Sequence, residues 1–255
     1  MVITRREFGA IAGGVIASFA FGGGCRRGSE PQETNGGRLT ARPRTDVETS
    51  AQGESALGLD PTRDAILQLP TKITAPLPLL VLFHGAGGSA KGVLGRLGSS
   101  PDEAGVAVLA PDSRDFSWDA IRHGFGPDVT FVNRALERVF DTVTVDPARI
   151  AVGGFSDGAT YAVSLGLING DLFRRVVAFS PGFVIDGATH GSPQFFVSHG
   201  LADPILPIDR CSRLIVSGLR KRGYDVELRE FDGGHEVPAD IARDGMRWVA
   251  AVSKA

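Results

Sequence analysis

The stretch Arg-Ile-Ala-Val-Gly-Gly-Phe-Ser-Asp-Gly, residues 149–158, decides the fold of this chain. Its first half is an apolar run of strand length, and a helix-like run from Ala159 to Ile168 follows it. The G-x-S-x-G pattern in between is typical of a sharp strand-to-helix turn with a serine at its apex. Both glycines are needed because this turn brings the two backbones close together. The free N–H groups of the helix then point at Ser156, which we predict to be a nucleophile.

A serine hydroxyl becomes a good nucleophile when a histidine takes its proton and a carboxylate orients that histidine. On a sheet of this kind the acid and then the histidine follow the serine, each in a loop after a late strand. Asp203 follows the apolar run Phe195–Val197, and His235 follows the run Val226–Phe231. We therefore predict a triad of Ser156, His235 and Asp203.

Other acids and histidines fit this order less well. Asp209 and Asp232 remain rival acids. His123 precedes the serine, and His190 lies in a glycine-rich loop without a strong strand before it. His199 ends a strand and is expected to be structural.

Acyl transfer also needs N–H donors aimed at the developing oxyanion. The loop His84-Gly85-Ala86-Gly87-Gly88 directly follows the apolar strand Leu77–Phe83. Its glycines allow the backbone to turn inward, so we predict the N–H groups of Ala86 and Asp157 as the two donors. The alternative is a glycine-rich turn without a function.

The same loop formally fits a dinucleotide fingerprint, Gly85-x-Gly87-x-x-Ala90, with Asp112 near the position of a ribose-binding acid. Two observations argue against this interpretation. An extended hairpin precedes the strand, whereas the fingerprint normally opens its domain. The helix that should start at the second glycine is also interrupted by three glycines: Gly92, Gly95 and Gly98.

The composition is that of an ordinary globular protein. The chain has 255 residues, of which 42% are hydrophobic and 22% charged, and its net charge is −2. Without a basic excess, we expect no nucleic-acid partner. The two cysteines, Cys25 and Cys211, are too few for a disulfide framework, and no metal-ligand spacing is present, so we expect no metal and no cofactor.

Short apolar strands alternate with amphipathic helices from Leu77 onward, which predicts a mostly parallel sheet with helices on both faces. Before them, Leu39–Val47 and Asp64–Leu69 should pair as an antiparallel edge hairpin. We see no insertion long enough for a cap domain. Further strands are predicted at Val106–Ala110, Ile150–Val152 and Val176–Phe179, and further helices at Asp128–Val143, Ile208–Arg222 and Pro238–Val252.

The N-terminus has the layout of an export signal at residues 1–24. Thr4-Arg5-Arg6-Glu7-Phe8 is similar to a twin-arginine motif, and an uncharged, small and apolar run follows it. Cys25 ends this run at a position resembling a bacterial lipoprotein cleavage site; the alternative is cleavage nearby, with Cys25 incidental. We expect an exported, periplasmic or outer-surface protein with membrane anchoring through a lipidated Cys25. Residues 25–37 should be a disordered tether, and residues 38–255 the folded domain.

Four blocks resemble the signatures of the α/β-hydrolase superfamily, in order and between Ala65 and Val252. They are Phe83–Gly88, Gly154–Gly158, His199–Pro204 and Gly233–Pro238. The nearest type is the compact phospholipase/carboxylesterase group, similar to acyl-protein thioesterases, followed by polyhydroxyalkanoate-depolymerase-like and feruloyl-esterase-like enzymes. This resemblance implies the same triad and an oxyanion N–H at Ala86. The elbow departs from the family at Asp157, where Gln, Ala or Met is common.

The resemblance implies a serine esterase that cleaves small-molecule or oligomeric carboxylic esters through an acyl-enzyme. A thioesterase, a peptidase and a catalytically silent binding scaffold are the alternatives. Trp118 is expected either to stack on substrate or to be a packing anchor, and Phe155 and Phe183 either line an acyl pocket or belong to the core. Because no cap is expected, we predict an open cleft, short soluble esters as substrates and no interfacial activation. We expect a monomer or a weak dimer.

Overall fold

The computed structural model describes residues 36–252 of the chain. The predicted export signal, Cys25 and all but the last two residues of the predicted tether lie outside this range. Within it, no helix has both the length and the apolar character needed to cross a membrane.

An eight-stranded sheet forms the centre of the molecule, in the order β1-β2-β4-β3-β5-β6-β7-β8. The strands from β3 to β8 run parallel, whereas β2 pairs antiparallel with both β1 and β4. This confirms the predicted mostly parallel sheet. The strands are β1 Glu54–Ala56, β2 Ala65–Gln68, β3 Leu77–Phe83, β4 Ala107–Pro111, β5 Val145–Phe155, β6 Arg175–Phe179, β7 Gln194–Gly200 and β8 Val226–Phe231.

Helices cover both faces of the sheet, since parallel strands need crossover connections. They are α1 Ala90–Leu97, α2 Ser100–Ala104, α3 Asp119–Arg122, α4 Pro127–Thr142, α5 Asp157–Ile168, α6 Ser212–Lys221 and α7 Ala239–Ala250. Alternate residues of β3 divide between two cores because strand side chains point to opposite faces. Leu79 and Val81 pack in the core that contains α4, α5 and α6. Leu80 and Leu82 pack in the core that contains α1 and α7.

The antiparallel edge hairpin is present, but the predicted position of its first strand is wrong. Glu54–Ala56 pairs with β2, whereas residues 39–47 form no strand. The N–H groups of residues 39–41 donate to side-chain amides instead. The N–H of Leu39 donates to Asn169 Oδ1 at 2.8 Å, and those of Thr40 and Ala41 donate to Asn133 Oδ1. An extended segment whose N–H groups find such partners needs no neighbouring strand.

The glycines of α1 do not interrupt the helix, so the predicted interruption, which counted against a dinucleotide site, is wrong. Gly92 and Gly95 lie inside the helix, and Gly98 ends it. The Ser89 side chain caps the first turn by accepting the N–H of Gly92, and buried apolar residues hold the helix on the sheet. Packing therefore outweighs the low helix propensity of glycine.

Candidate active site

The turn after β5 has the strained geometry that the G-x-S-x-G pattern predicts. Ser156 has φ 58° and ψ −122°, a backbone conformation that residues other than glycine rarely adopt. A Cβ on Gly154 would clash with the backbone of Gly158, and a Cβ on Gly158 would clash with the carbonyl oxygen of Phe83. The turn therefore needs both glycines, and it leaves the serine at the start of α5.

Ser156, His235 and Asp203 lie in one hydrogen-bonded line. Ser156 Oγ is 2.9 Å from His235 Nε2, and His235 Nδ1 is 2.6 Å from Asp203 Oδ2. A carboxylate at Nδ1 fixes the tautomer in which Nδ1 carries the proton and Nε2 accepts from the serine hydroxyl. The serine follows β5, the acid follows β7 and the histidine follows β8, so the three loops meet at the carboxyl edge of the sheet.

The environment of Asp203 keeps its carboxylate ionised. Burial by itself would raise the pKa of Asp203, but hydrogen bonds from Leu206 N, His235 and Ile205 N lower it below its usual value. Ile205 N and Leu206 N both donate to Oδ1 at 2.9 Å, which leaves Oδ2 for the histidine. The side chain is therefore a fixed negative charge behind His235.

A second imidazole contacts the same carboxylate. His199 Nε2 lies 3.2 Å from Asp203 Oδ2 and 2.7 Å from the carbonyl oxygen of Leu206, while Nδ1 lies 2.6 Å from Ser212 Oγ. Burial lowers the pKa of His199, so the ring is neutral. His199 thus contacts Asp203, Leu206 in the same loop, and Ser212 at the start of α6. The sequence predicted a structural histidine here, but nothing in it indicated this contact.

The loop after β3 presents N–H groups beside the serine. Within residues 36–252, no protein acceptor takes the N–H of Ala86 or of Asp157, the first helical residue of α5. Gly88 N donates to Gly85 O and closes the turn, in which Gly87 has φ 65°. Two free donors next to a serine are what an oxyanion needs.

His84 and Trp118 hold this loop in place. His84 is buried, accepts the N–H of Ser113 at Nε2 and donates from Nδ1 to Gly85 O. Burial lowers the pKa of His84, so its neutral form persists. The indole N–H of Trp118 donates to His84 O at 2.8 Å, and its ring stacks on Tyr161.

Asp157 is fixed by a neighbouring loop. Its Oδ2 accepts the hydroxyl of Ser117 at 2.6 Å, and it lies in the first turn of α5, where a negative charge is favourable. The residue before Ser117 binds the oxyanion loop, residues 84–88, since Phe116 O accepts the N–H of Gly87. The segment after β4 therefore joins the elbow to the oxyanion loop, a role that sequence reasoning missed for Ser117.

The serine opens into a cleft of about 400 Å³. One wall is the oxyanion loop, a second is a face of α1, and Ile205 closes the rim with 64% of its surface exposed. Phe116 lies outside this lining; its side chain is 56% exposed, and its ring lies over Gly87 of the oxyanion loop. Sequence reasoning missed Phe116, Ile205 and the α1 wall. The helical spacing from Ser89 to Arg96 is the signal that could have revealed this wall.

The three aromatic residues proposed for the pocket differ in position. Phe155 lines the cleft, and its ring contacts that of His235 with centroids 4.7 Å apart. Trp118 is 1% exposed and does not line this cleft, so the structure supports its packing role and corrects the substrate-stacking alternative. Phe183 is buried in the loop after β6 and lies outside the lining.

Neither rival acid is hydrogen-bonded to His235 Nδ1, whose partner is Asp203. Asp209 is exposed and pairs with Arg213 at 2.7 Å, and Asp232 is exposed in the loop before His235. His123 and His190 are also exposed.

A mostly parallel sheet, an elbow serine after its fifth strand and late acid and histidine loops together define the α/β-hydrolase class. Solved structures of that class share the fold. A carboxylesterase from Bacillus cereus aligns with a TM-score of 0.57 and 20% identity over 74% of this chain and 94% of its own.

Residues 123–250 match the family described as phospholipase/carboxylesterase, and the chain belongs to that family. Among curated relatives, a probable feruloyl esterase C of Aspergillus oryzae is 28% identical over 58% of this chain. The match spans 57% of that relative's length. A feruloyl esterase D of Neurospora crassa is 25% identical over 86% of this chain and 74% of its own.

Proposed function

We propose that the protein is a serine esterase in which Ser156 attacks the carbonyl of a carboxylic ester. The observation that carries this proposal is the continuous hydrogen-bonded line from Ser156 Oγ through His235 to Asp203 at the end of an elbow. Membership of the phospholipase/carboxylesterase family supports an ester as the bond that is cleaved.

The reaction follows from the positions of the three groups. His235 Nε2 takes the proton of Ser156 Oγ as the oxygen bonds to the carbonyl carbon, and Asp203 stabilises the imidazolium that forms. His235 then returns the proton to the leaving alcohol, which leaves an acyl group on the serine. Water, deprotonated by the same nitrogen, releases the acid and restores the serine.

The oxyanion is stabilised by the N–H groups of Ala86 and Asp157. The carboxylate of Asp157 would oppose this charge if it faced the cleft, but its hydrogen bond to Ser117 and its place at the helix N-terminus favour an orientation away from it. The elbow therefore tolerates an acid at this position.

Similarity to feruloyl esterases supports esters with an aromatic acid as one class of substrate. The exposed side chains of Phe116 and Ile205 offer apolar contacts for such a group. Residues 36–252 contain no inserted cap domain over the cleft, which favours soluble esters with short acyl groups.

The test is Ser156→Ala, which should lower kcat on 4-nitrophenyl acetate by about 10⁴-fold or more while the fold is retained. His235→Ala should be about as damaging because triad members act as a unit. Ser217→Ala is the matched control, since Ser217 is exposed on α6 and distant from the cleft lining. Near wild-type turnover by Ser156→Ala would contradict the proposal.

Two further measurements separate the alternatives. A fluorophosphonate probe should label the wild type and not Ser156→Ala, whereas a catalytically silent scaffold would not react at all. Matched oxygen esters, thioesters and amides then give kcat/KM for each kind of bond. We expect the oxygen ester to be cleaved best, with a maximum at short chains and no jump in rate above the substrate's solubility limit.

A further inference from the structure

One face of α1 forms a wall of the serine cleft. Ser89, Gly92, Val93 and Arg96 all line the cleft, and their spacing places them on a single side of the helix. Gly92 has no side chain to fill the space, and a Cβ there would meet just the Ser89 hydroxyl at 3.4 Å. A substrate that extends from the serine along this wall therefore reaches Arg96.

Arg96 is held on the ring of Phe155. Its Cζ lies 4.2 Å from the ring centroid, and the same ring contacts His235. This cation–π contact positions the guanidinium over the ring of Phe155. The ring of Phe155 thus lies between Arg96 and the imidazole of His235, which we propose to be catalytic.

Arg96 has no acidic partner among the residues that the structure describes. No ion pair or hydrogen bond links its guanidinium to a carboxylate in residues 36–252. The acids nearest to α1 in sequence are engaged elsewhere, since Asp102 accepts the N–H and the hydroxyl of Thr71 and Glu103 pairs with Arg243. The cleft lining itself contains no Asp or Glu.

We propose that Arg96 is a specificity residue that binds a carboxylate of the substrate, so that the preferred esters carry a second, anionic group. This inference rests on the proposed esterase function. A guanidinium matches the two oxygens of a carboxylate with two parallel N–H donors. A monoanionic carboxylate fits better than a dianionic phosphate because Arg96 is the one arginine or lysine in the lining.

The experiment compares esters that differ in charge and hardly in size. Mono-4-nitrophenyl adipate is measured against 4-nitrophenyl heptanoate for the acyl side, and 3-carboxyphenyl acetate against 3-carbamoylphenyl acetate for the alcohol side. We expect the wild type to favour the anionic member of at least one pair. Arg96→Met keeps apolar cover over Phe155 and should lower that preference by about tenfold or more.

Lys91→Gln is the matched control. It removes a positive charge from an exposed position of the same helix that does not line the cleft, so it should leave the preference unchanged. An equal loss in Lys91→Gln would mean a diffuse charge effect and would overturn the role of Arg96, as would an unchanged preference in Arg96→Met. If the wild type cleaves none of the four esters, the esterase proposal fails; if it cleaves the neutral ones without preference, this inference alone fails.

Discussion

At the scale of the residue, the site depends on atoms that hold the reactive ones in place. Asp203 is bound by two backbone N–H groups on one oxygen and approached by two imidazoles on the other. Of these, His235 faces the serine and His199 is wholly buried behind the acid. The second imidazole fixes where the carboxylate lies, and the carboxylate fixes the ring that takes the proton.

His199→Ala should therefore act as a loss of positioning. We expect kcat for 4-nitrophenyl acetate to fall about tenfold or more, with a smaller change in KM, because a displaced Asp203 no longer orients His235. His199→Asn, which retains a side-chain amide, should recover part of that loss. The exposed His190 provides the control, since His190→Ala should leave both constants unchanged. A fall in stability with kcat preserved would show that His199 is merely part of the core.

At the scale of the element, glycines have opposite roles in two neighbouring helices. Gly158 in α5 lies against the carbonyls of Phe83 and His84, so any side chain at this position would push the helix away from β3. Gly95 in α1 is exposed, has an ordinary helical φ and would meet no atom within 4 Å through a Cβ. Gly158 is required for packing, whereas Gly95 only lowers the stability of its helix.

Gly95→Ala should raise the free energy of unfolding by about 0.5–1 kcal/mol, because alanine loses less backbone entropy than glycine in a helix. Gly158→Ala should lower the free energy of unfolding or prevent folding, since the strand backbone cannot move away. Urea unfolding of the two variants beside the wild type provides the measurement. A destabilised Gly95→Ala would show that α1 needs its glycine for a reason other than space.

At the scale of the whole molecule, loops from several strands form a single catalytic edge. The segment after β4 is one of these connections, and it is organised by two acids. Asp128 accepts the N–H groups of Arg114 and Asp119, and Asp119 accepts those of Gly126 and Asp128. The same segment reaches Asp157 through Ser117. Asp119 and Asp128 thus hold the segment that binds both Asp157 and the oxyanion loop.

Burial, with the nearby charge of Asp119, raises the pKa of Asp128 from 3.8 to about 6. Between these values the folded state binds more protons than the unfolded state, so the contribution of Asp128 to stability falls as pH rises from about 4 to 6 and then stays level. Relative to Asp128→Asn, the wild type should lose stability of the order of 1 kcal/mol or more over this range. Urea unfolding at pH 4.5 and 7.5 tests this; a constant difference between the two proteins would contradict it.

The fold class could be predicted from the sequence, because the periodicity of apolar residues and the glycines of the turn at Ser156 are local signals. Leu77–Phe83 and Val226–Phe231 are strands with the predicted bounds. The order of Ser156, Asp203 and His235 also follows from the chain, since each comes directly after a strand whose carboxyl end faces the same edge. Family membership and the solved structures agree with this class.

Which residues surround the site, and which are buried beneath it, depends on the tertiary structure. Trp118 and Phe116 are two positions apart and both aromatic, yet one is buried and the other exposed. Arg96 contacts Phe155, Ser117 contacts Asp157, and residues 39–41 are bound by Asn133 and Asn169 instead of a strand. Such contacts join side chains from distant elements, and their distances depend on how helices pack on a twisted sheet. No local pattern contains that information, because many packings satisfy the same periodicity.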